Sequence, residues 1–293
     1  MPAALLGRLM RTAPYLAIAA TLILWASSFP AIKAGLDGYS PLSLAALRFA
    51  AASLVLGCAA PFLGIRLPQR RHGALVLALG LIGVAGYHIL LNYGEALATA
   101  SAAAFIANAA PLFTTIMAKA MGERVGRRAW LGLLAGLAGV WLIGGSFSAR
   151  GFFDPGAALL LGAALCWSLF FVLQKPLLTQ HSPLEVTCYA VWIGTIALAL
   201  FLPDAIVELR SASLSATLSA LYLGVLPTAG AYLCWAYVLA TVPVSQAALY
   251  TYLVPVLSAA IAYAWLGEQP SLGFSLGAFS VLLGVVIAHR SRS

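Results

Sequence analysis

Long apolar runs separated by short polar segments dominate this chain of 293 residues. A helix that crosses a membrane needs about 20 mostly apolar residues, because the hydrocarbon core is about 30 Å thick and each helical residue rises about 1.5 Å. Ten runs have this character: 14–35, 43–63, 74–97, 100–120, 129–146, 155–176, 184–203, 214–239, 244–266 and 271–289. The pattern therefore predicts an all-α integral membrane protein with ten transmembrane helices.

The stretch 211–267 contains no charged residue and no histidine. As a single helix it would be about 85 Å long, far more than a bilayer can accommodate. A turn must therefore divide it, and Thr241-Val242-Pro243 has residue types that favour one. We expect one helix to end and the next to begin there.

Much of the first half of the chain recurs in the second half. A tryptophan, a lysine and a Ser-Pro-Leu turn recur 142 residues later, and a Gly-Glu pair recurs 145 residues later. The matching pairs are Trp25 and Trp167, Lys33 and Lys175, Ser40-Pro41-Leu42 and Ser182-Pro183-Leu184, and Gly122-Glu123 and Gly267-Glu268. The repeat predicts two related units, 16–145 and 155–288. Five helices per unit is an odd number, so the second unit must be inverted relative to the first.

Composition and charge agree with a membrane protein. The chain is 62% hydrophobic and 8% charged, with a mean hydropathy of +0.98. Soluble domains carry about 25% charged residues, so a water-soluble protein is excluded. The net charge of +8 is carried by short segments beside apolar runs, which indicates membrane orientation and no nucleic-acid partner. The four cysteines are isolated and lack metal-site spacing, so we expect no metal and no cofactor.

Lysine and arginine positions predict that both termini are cytoplasmic. With the N-terminus inside, twelve cations fall inside and three outside, while Arg48 lies within a span. The inside set is Arg8, Arg11, Arg66, Arg70, Arg71, Lys119, Arg124, Arg127, Arg128, Lys175, Arg290 and Arg292. The outside set is Lys33, Arg150 and Arg210. This excess is the positive-inside signal of a multi-pass protein.

Three sequence features resemble the EamA family of the drug/metabolite transporter superfamily. They are the run WASSFPAIK…SPLSLAALRF, the run NYGEALATASAAAFIANAAPLF, and the GE…G…G endings of both units. The resemblance covers 16–145 and 155–288 and implies two inverted five-helix repeats in a bacterial inner membrane. It also implies transport of small metabolites, often export. The second unit departs from the pattern, because Phe170-Phe171 replaces Ser28-Phe29 and Ala190 stands where Arg48 would recur.

Polar and aromatic side chains near the middle of the predicted spans are candidates for substrate binding. Such groups usually face the bundle interior or a wet cavity, because hydrocarbon offers them no partner. The alternatives are hydrogen bonds between helices for the polar residues and simple packing for the aromatic ones. The candidates are Trp25, Ser28, Tyr87, His88, Asn92, Asn108, Trp167, Phe171, Tyr232, Trp235 and Tyr252.

Three cations lie at or near predicted span ends and are expected at the mouths or interfaces. Lys33 and Lys175 either extend their ammonium groups to the interface or attract anionic substrates. Arg48 lies about two turns inside the second span, where we expect it to pair with a carboxylate or carbonyls near the outer face.

Energy coupling has one candidate pair. The sequence lacks the GxxxxGK[ST] phosphate loop, so uphill transport would need an ion gradient. His88 is the histidine expected at depth, and an imidazole with an unperturbed pKa of about 6.5 can exchange a proton. Glu95 lies on the same helical face and could pass that proton outward. In the alternative interpretation, His88 stays neutral and only donates or accepts hydrogen bonds.

The sequence thus predicts a secondary transporter and not an enzyme. It would move a small amphipathic metabolite, amino-acid-like or related, by alternating access, with export favoured by the family resemblance. An importer of a nutrient or vitamin is the alternative within the same fold, and a membrane enzyme or scaffold acting on lipid is the alternative outside it. Expected partners are a small-molecule substrate, the lipid bilayer and protons as a candidate coupling ion, with monomer or homodimer left open.

Overall fold

The computed structural model describes residues 3–144, 155–267, 276–277, 279–280 and 282–284, which are helical apart from short turns and loops. The first half contains α1 (Ala3–Leu36), α2 (Pro41–Leu63), α3 (Gly73–Gly80), α4 (Tyr87–Ala96), α5 (Ala100–Ala107), α6 (Ala110–Ala120) and α7 (Arg127–Gly144). The second half contains α8 (Pro155–Leu177), α9 (Pro183–Leu198), α10 (Leu202–Leu209), α11 (Leu214–Leu223), α12 (Ala231–Thr241), α13 (Val244–Tyr250) and α14 (Leu253–Leu266). Short 3₁₀ segments cover Arg70–His72 and Ala199–Phe201.

Seven helical stretches in the described ranges are long and apolar enough to cross a membrane. They are Ala13–Leu36, Pro41–Phe62, Arg70–Ala96, Pro155–Leu177, Pro183–Leu209, Leu214–Thr241 and Val244–Leu266. Large apolar side chains on these stretches remain exposed, including Phe62 at 89%, as expected for a surface that faces lipid. The chain is therefore an all-α membrane protein.

Three of the ten predicted spans are not among these seven stretches. The run 100–120 is divided between α5 and α6, where Pro111 lies in the first turn of α6 and has no backbone N–H to continue a hydrogen-bonded helix. The run 129–146 corresponds to α7, which ends at Gly144, the last described residue before a gap. Most of 271–289 lies outside the described residues. Ten spanning helices therefore remain a prediction.

The predicted division of 211–267 is confirmed. Helix α12 ends at Thr241, Val242 has an extended backbone, and α13 begins at Val244. Proline at position 243 disfavours helical backbone at the preceding residue, which explains why the helix stops there.

Two π-helical segments interrupt long helices at corresponding places in the two halves. Leu81–Gly86 lies between α3 and α4, and Gly224–Gly230 lies between α11 and α12. Each contains or adjoins glycines that allow close approach. An added Cβ on Gly224 would lie 2.4 Å from the carbonyl oxygen of Arg48, so α2 can reach this segment only because residue 224 has no side chain. Segments of this kind often mark functional sites.

Equivalent turns begin α2 and α9. Ser40 accepts a hydrogen bond from the backbone of Ser43, and Ser182 accepts one from Glu185 in a complete capping box. Proline follows each serine at the first helical position, where its missing N–H costs nothing. The Ser-Pro-Leu repeat in the sequence is therefore a repeated helix start.

The inverted arrangement of the two halves can be tested at these turns. Asp37 and Thr179 are exposed, 142 residues apart, and lie just before the repeated helix starts. We expect Asp37→Cys to be labelled by a membrane-impermeant thiol reagent from outside the cell, and Thr179→Cys only from the cytoplasmic side. The measurement uses a background in which the four native cysteines are replaced. Labelling of both positions from the same side would contradict an inverted repeat.

Candidate functional site

A small cavity lies between the two halves of the protein. Its walls come from α1, α2, α4, α8, α12, α14 and the breaks at the ends of α5 and α13. The lining residues are Trp25, Ser28, Phe29, Arg48, Tyr87, His88, Leu91, Ala107, Asn108, Trp167, Tyr232, Thr251 and Val254. The space open to a water-sized molecule is about 30 Å³, which is room for about two waters. This conformation is therefore closed around the site, and a metabolite needs a wider one.

Seven of the eleven predicted binding residues line this cavity: Trp25, Ser28, Tyr87, His88, Asn108, Trp167 and Tyr232. The other four do not. Phe171 and Trp235 pack behind Trp25, with ring centroids 6.1 and 5.0 Å from it. Asn92 donates to the carbonyl of Pro41 at 2.9 Å.

Tyr252 lies in a separate small core with Ala129, Leu133 and Leu249. Its ring is pressed against Gly136 of α7, where an added Cβ would lie 2.5 Å away. The helix break between α13 and α14 turns Thr251, and not Tyr252, toward the cavity. Tyr252 therefore has a packing role in this conformation, contrary to the expectation from its depth.

Aromatic rings form one wall of the cavity. Trp167 is stacked on Tyr87 with centroids 4.4 Å apart, and it meets Trp25 edge-on at 4.9 Å. On its other side Trp167 stacks on Phe170 at 4.9 Å. Aromatic pairs in such geometries contribute about 0.5–1.5 kcal/mol each beyond the burial of their area. The rings thus hold one another in place and present rigid apolar faces.

A chain of hydrogen bonds adjoins these rings, since His88 contacts Tyr87 at 4.6 Å and Tyr232 contacts Trp167 at 5.7 Å between ring centroids. Nε of Arg48 donates to the hydroxyl of Thr228 at 2.6 Å, and Nη1 lies 3.4 Å from Nδ1 of His88. Nε2 of His88 lies 2.8 Å from the Tyr232 hydroxyl. Arginine can only donate, so a hydrogen bond between Arg48 and His88 requires Nδ1 to accept and Nε2 to carry the proton that is donated to Tyr232. This arrangement uses a neutral His88, in agreement with the hydrogen-bonding interpretation.

Arg48 lies elsewhere than the sequence suggested. We expected it near the outer face with a carboxylate or carbonyls, but the structure places it on the cavity wall, only 2% exposed. The reason is the close approach of α2 to the π-helical segment Gly224–Gly230, which brings Arg48 against Thr228. The sequence did not indicate this contact, because Thr228 lies 180 residues further along the chain.

The two lysines cap helices. Nζ of Lys33 donates to the carbonyls of Glu95 and Ala98 at 3.0 and 2.6 Å, at the end of α4. Nζ of Lys175 donates to Leu239 and Val242 at 2.7 and 3.1 Å, at the end of α12. A cation at a helix C-terminus satisfies carbonyls that have no partner within the helix and complements the helix dipole. The repeated lysine is therefore a repeated helix cap.

An open vestibule of about 610 Å³ lies beside the turn at residues 37–41. Lys33, Asp37, Ser40 and Glu208 give it a polar lining of both charges. Glu95, the predicted proton relay, is fully buried at the end of α4 near this side, since its carbonyl accepts from Lys33. The helical face that carries His88 and Glu95 thus runs from the cavity toward the vestibule.

The apolar helices and the cavity define a multi-pass membrane protein, and sequence comparison gives its family. The chain belongs to the EamA-like transporter family, which matches residues 12–145 and 154–289. It is 37% identical over 267 residues to the uncharacterized transporter YdfC of Bacillus subtilis strain 168, covering 91% of this chain and 87% of that protein. The family and this relative point to a transporter of a bacterial inner membrane and not to an enzyme.

A second relative carries a more specific description. The chain is 34% identical over 275 residues to a probable terminal-alkyne amino-acid exporter of Streptantibioticus cattleyicolor, covering 94% of this chain and 92% of that one. A protein of known crystal structure has the same fold, with a TM-score of 0.75 at 22% identity over 96% of this chain and 99% of the other.

The two buried tyrosines give a matched pair of variants for the hydrogen-bonded wall. The Tyr232 hydroxyl bonds to His88, whereas the Tyr252 hydroxyl is buried and has no hydrogen-bond partner among the described residues. We expect Tyr232→Phe to lower the free energy of unfolding by about 1–2 kcal/mol, because it leaves His88 without its acceptor. Tyr252→Phe should be neutral or stabilising. Thermal denaturation in detergent measures both, and equal midpoints for the two variants would contradict this account.

Proposed function

We propose that the protein is a secondary transporter that exports a small amphipathic metabolite, an amino acid or a related compound, by alternating access. The observation that carries this proposal is the cavity shared by both halves, which is lined by aromatic faces and by polar donors. A ligand with an apolar part and a polar part matches both kinds of lining at once. The description of the relative from Streptantibioticus cattleyicolor supports an amino-acid substrate and outward transport.

Contacts between equivalent positions support two repeats related by a two-fold axis. Trp25 touches Trp167, and His88 bonds to Tyr232, 144 residues further on. Ser53 bonds to Thr195 at 2.6 Å, again 142 residues apart. A residue meets its own counterpart only near a two-fold axis, as in the interface of a symmetric dimer. We infer ten helices in two inverted units, 16–145 and 155–288, with the site between them.

The closed cavity fits one step of such a cycle. An inverted repeat can exchange the conformations of its two halves, so that the same site opens first to one side and then to the other. A state sealed on both sides lies between these two. The vestibule at the 37–41 turn would be the approach on the outer side, because that turn is predicted to be external.

Transport is tested in sealed proteoliposomes loaded with unlabelled amino acids. We expect saturable exchange of at least one labelled amino acid with aromatic or aliphatic side chain. Trp25→Ala should weaken binding of that substrate by about 1 kcal/mol or more, because it removes an aromatic face of the cavity.

The matched control is Trp265→Ala, since Trp265 is 47% exposed and lies far outside the set of lining residues. Its exchange should equal that of the wild-type protein. Absence of exchange for every compound tested, with turnover of a lipid in detergent instead, would contradict the transporter proposal. Exchange of vitamins in place of amino acids would favour the importer alternative.

Proton coupling through His88 and Glu95 is part of the proposal. Protonation of His88 would put a hydrogen on Nδ1, where it faces the guanidinium of Arg48, so protonation and the Arg48 contact exclude each other. His88 can therefore change partners when a proton arrives, and Glu95 lies toward the vestibule from which protons would enter.

His88→Gln separates exchange from accumulation. Glutamine keeps hydrogen-bonding groups but does not titrate near neutral pH. We expect substrate exchange to survive in this variant, while accumulation driven by a pH gradient disappears. Measurement of both in the same proteoliposomes is decisive, because accumulation at the wild-type rate would show that His88 is not the proton carrier.

A further inference from the structure

Arg48 is a cation at the central site that forms no direct ion pair with another described residue. Its side chain is 2% exposed and lines the cavity. Among the described residues no ion pair within 4.0 Å involves Arg48. A buried charge is normally paired, because removal from water is costly and only an opposite charge or several hydrogen bonds offset that cost. The carboxylate of Glu95 acts on Arg48 only from beyond 4.0 Å, so a direct ion pair with the guanidinium is left for a ligand to form.

The hydrogen bonds of Arg48 leave most of its donors available. A guanidinium carries five N–H groups, and this one uses a bond to Thr228 at 2.6 Å and a longer contact to His88 at 3.4 Å. These two partners lie at Nε and Nη1, so they hold the plane of the group and leave both N–H groups of Nη2 available. The remaining N–H groups have the fork geometry that matches a carboxylate.

The rest of the lining favours an acceptor ligand. The described lining residues include no aspartate or glutamate, so the site offers nothing ionic to a substrate amine. The indole N–H of Trp25, also on the cavity wall, is buried without a hydrogen-bond acceptor among the described residues. The free N–H groups of Arg48 and the indole N–H of Trp25 are thus two independent donors that could bind oxygen atoms of a ligand.

The equivalent position in the second half carries no such group. Ala190 stands where Arg48 would recur, and it is fully buried. The described lining of the site therefore has one cation, contributed by the first half, together with aromatic rings from both halves. A ligand with one acid group and an apolar remainder can satisfy this arrangement in a single orientation.

We propose that Arg48 binds the carboxylate of the transported molecule, so that the substrates are small monocarboxylates with an apolar or aromatic side chain. The proposal rests on the transporter function proposed above and narrows its substrate class. It makes Arg48 a specificity-determining residue, and it excludes amines and amides that lack the acid. The α-amino group of an amino acid would be tolerated and the carboxylate would be required.

The test compares acids with their closest neutral and cationic analogues. Purified wild-type protein in detergent is titrated calorimetrically with phenylalanine, leucine and methionine, each beside its primary amide and its decarboxylated amine. We expect at least one acid to bind, and its amide and amine to bind at least about tenfold more weakly, as loss of a charge-assisted hydrogen bond predicts. An amide or amine that binds as tightly as its acid overturns the proposal.

Variants assign the preference to Arg48. Arg48→Gln should reduce the ratio of acid to amide affinity toward one, whereas Arg48→Lys, which keeps the charge, should retain a preference for the acid. Arg70→Gln is the control, because Arg70 is exposed and lies outside the lining. The ratio is informative even when a variant binds weakly, since a general packing defect lowers both affinities together. A wild-type ratio in Arg48→Gln overturns the proposal.

Proteoliposome exchange separates this inference from the transporter function itself. Exchange of amines or amides without exchange of acids would leave the transporter proposal standing and overturn the role of Arg48. Failure of every class of compound to exchange would overturn both. Exchange of acids that Arg48→Gln abolishes and Arg48→Lys partly restores supports both.

Discussion

The hydrogen-bonded chain from Thr228 through Arg48 and His88 to Tyr232 joins the two halves at the centre of the molecule. Arg48 and His88 come from the first half, and Thr228 and Tyr232 come from the second. In a medium without water each of these groups depends on the next, because loss of one partner leaves a buried polar group unsatisfied. These hydrogen bonds therefore fix the packing of one half against the other, and the cavity lies at that contact.

The two π-helical segments position the residues of this series of hydrogen bonds. Leu81–Gly86 directly precedes Tyr87 and His88, and Gly224–Gly230 contains Thr228 and precedes Tyr232. A π segment shifts the phase of all side chains that follow it in the helix, so it decides which of them point inward. The absence of a side chain at Gly224 then lets α2 approach closely enough for Arg48 to reach Thr228. Backbone irregularity and a missing Cβ, rather than side-chain packing alone, bring the polar residues together.

The sequence predicted the helical membrane fold, the turn at residues 241–243 and most of the cavity lining, because apolar run length and repeated residues are local signals. It did not predict the breaks that matter most. The π segments leave the apolar run unchanged, so nothing in its length or composition reveals them. Arg48 was expected near the outer face because its position was judged from the start of its span, whereas its contact to Thr228 comes from a distant part of the sequence. Tyr252 was expected in the cavity because of its depth in the span. Consecutive helical residues point about a quarter turn or more apart, so depth does not tell whether Thr251 or Tyr252 faces the cavity.

Equivalent positions in the two halves share a backbone role but differ in chemistry. Lys33 and Lys175 cap equivalent helices, and Trp25 and Trp167 meet at the centre, so the scaffold repeats closely. By contrast, the side chains differ at other equivalent positions: Arg48 is equivalent to Ala190, His88 to Tyr232, and Ser28 to Phe170. The first half thus supplies the charge and the imidazole, while both halves supply aromatic rings to the cavity and the second half adds the rings that pack behind them. An exchange of backbone conformations between the halves needs the repeated caps and tryptophans. Recognition of an asymmetric molecule in one orientation needs different side chains at equivalent positions of the cavity. The protein has both features because different residues provide them.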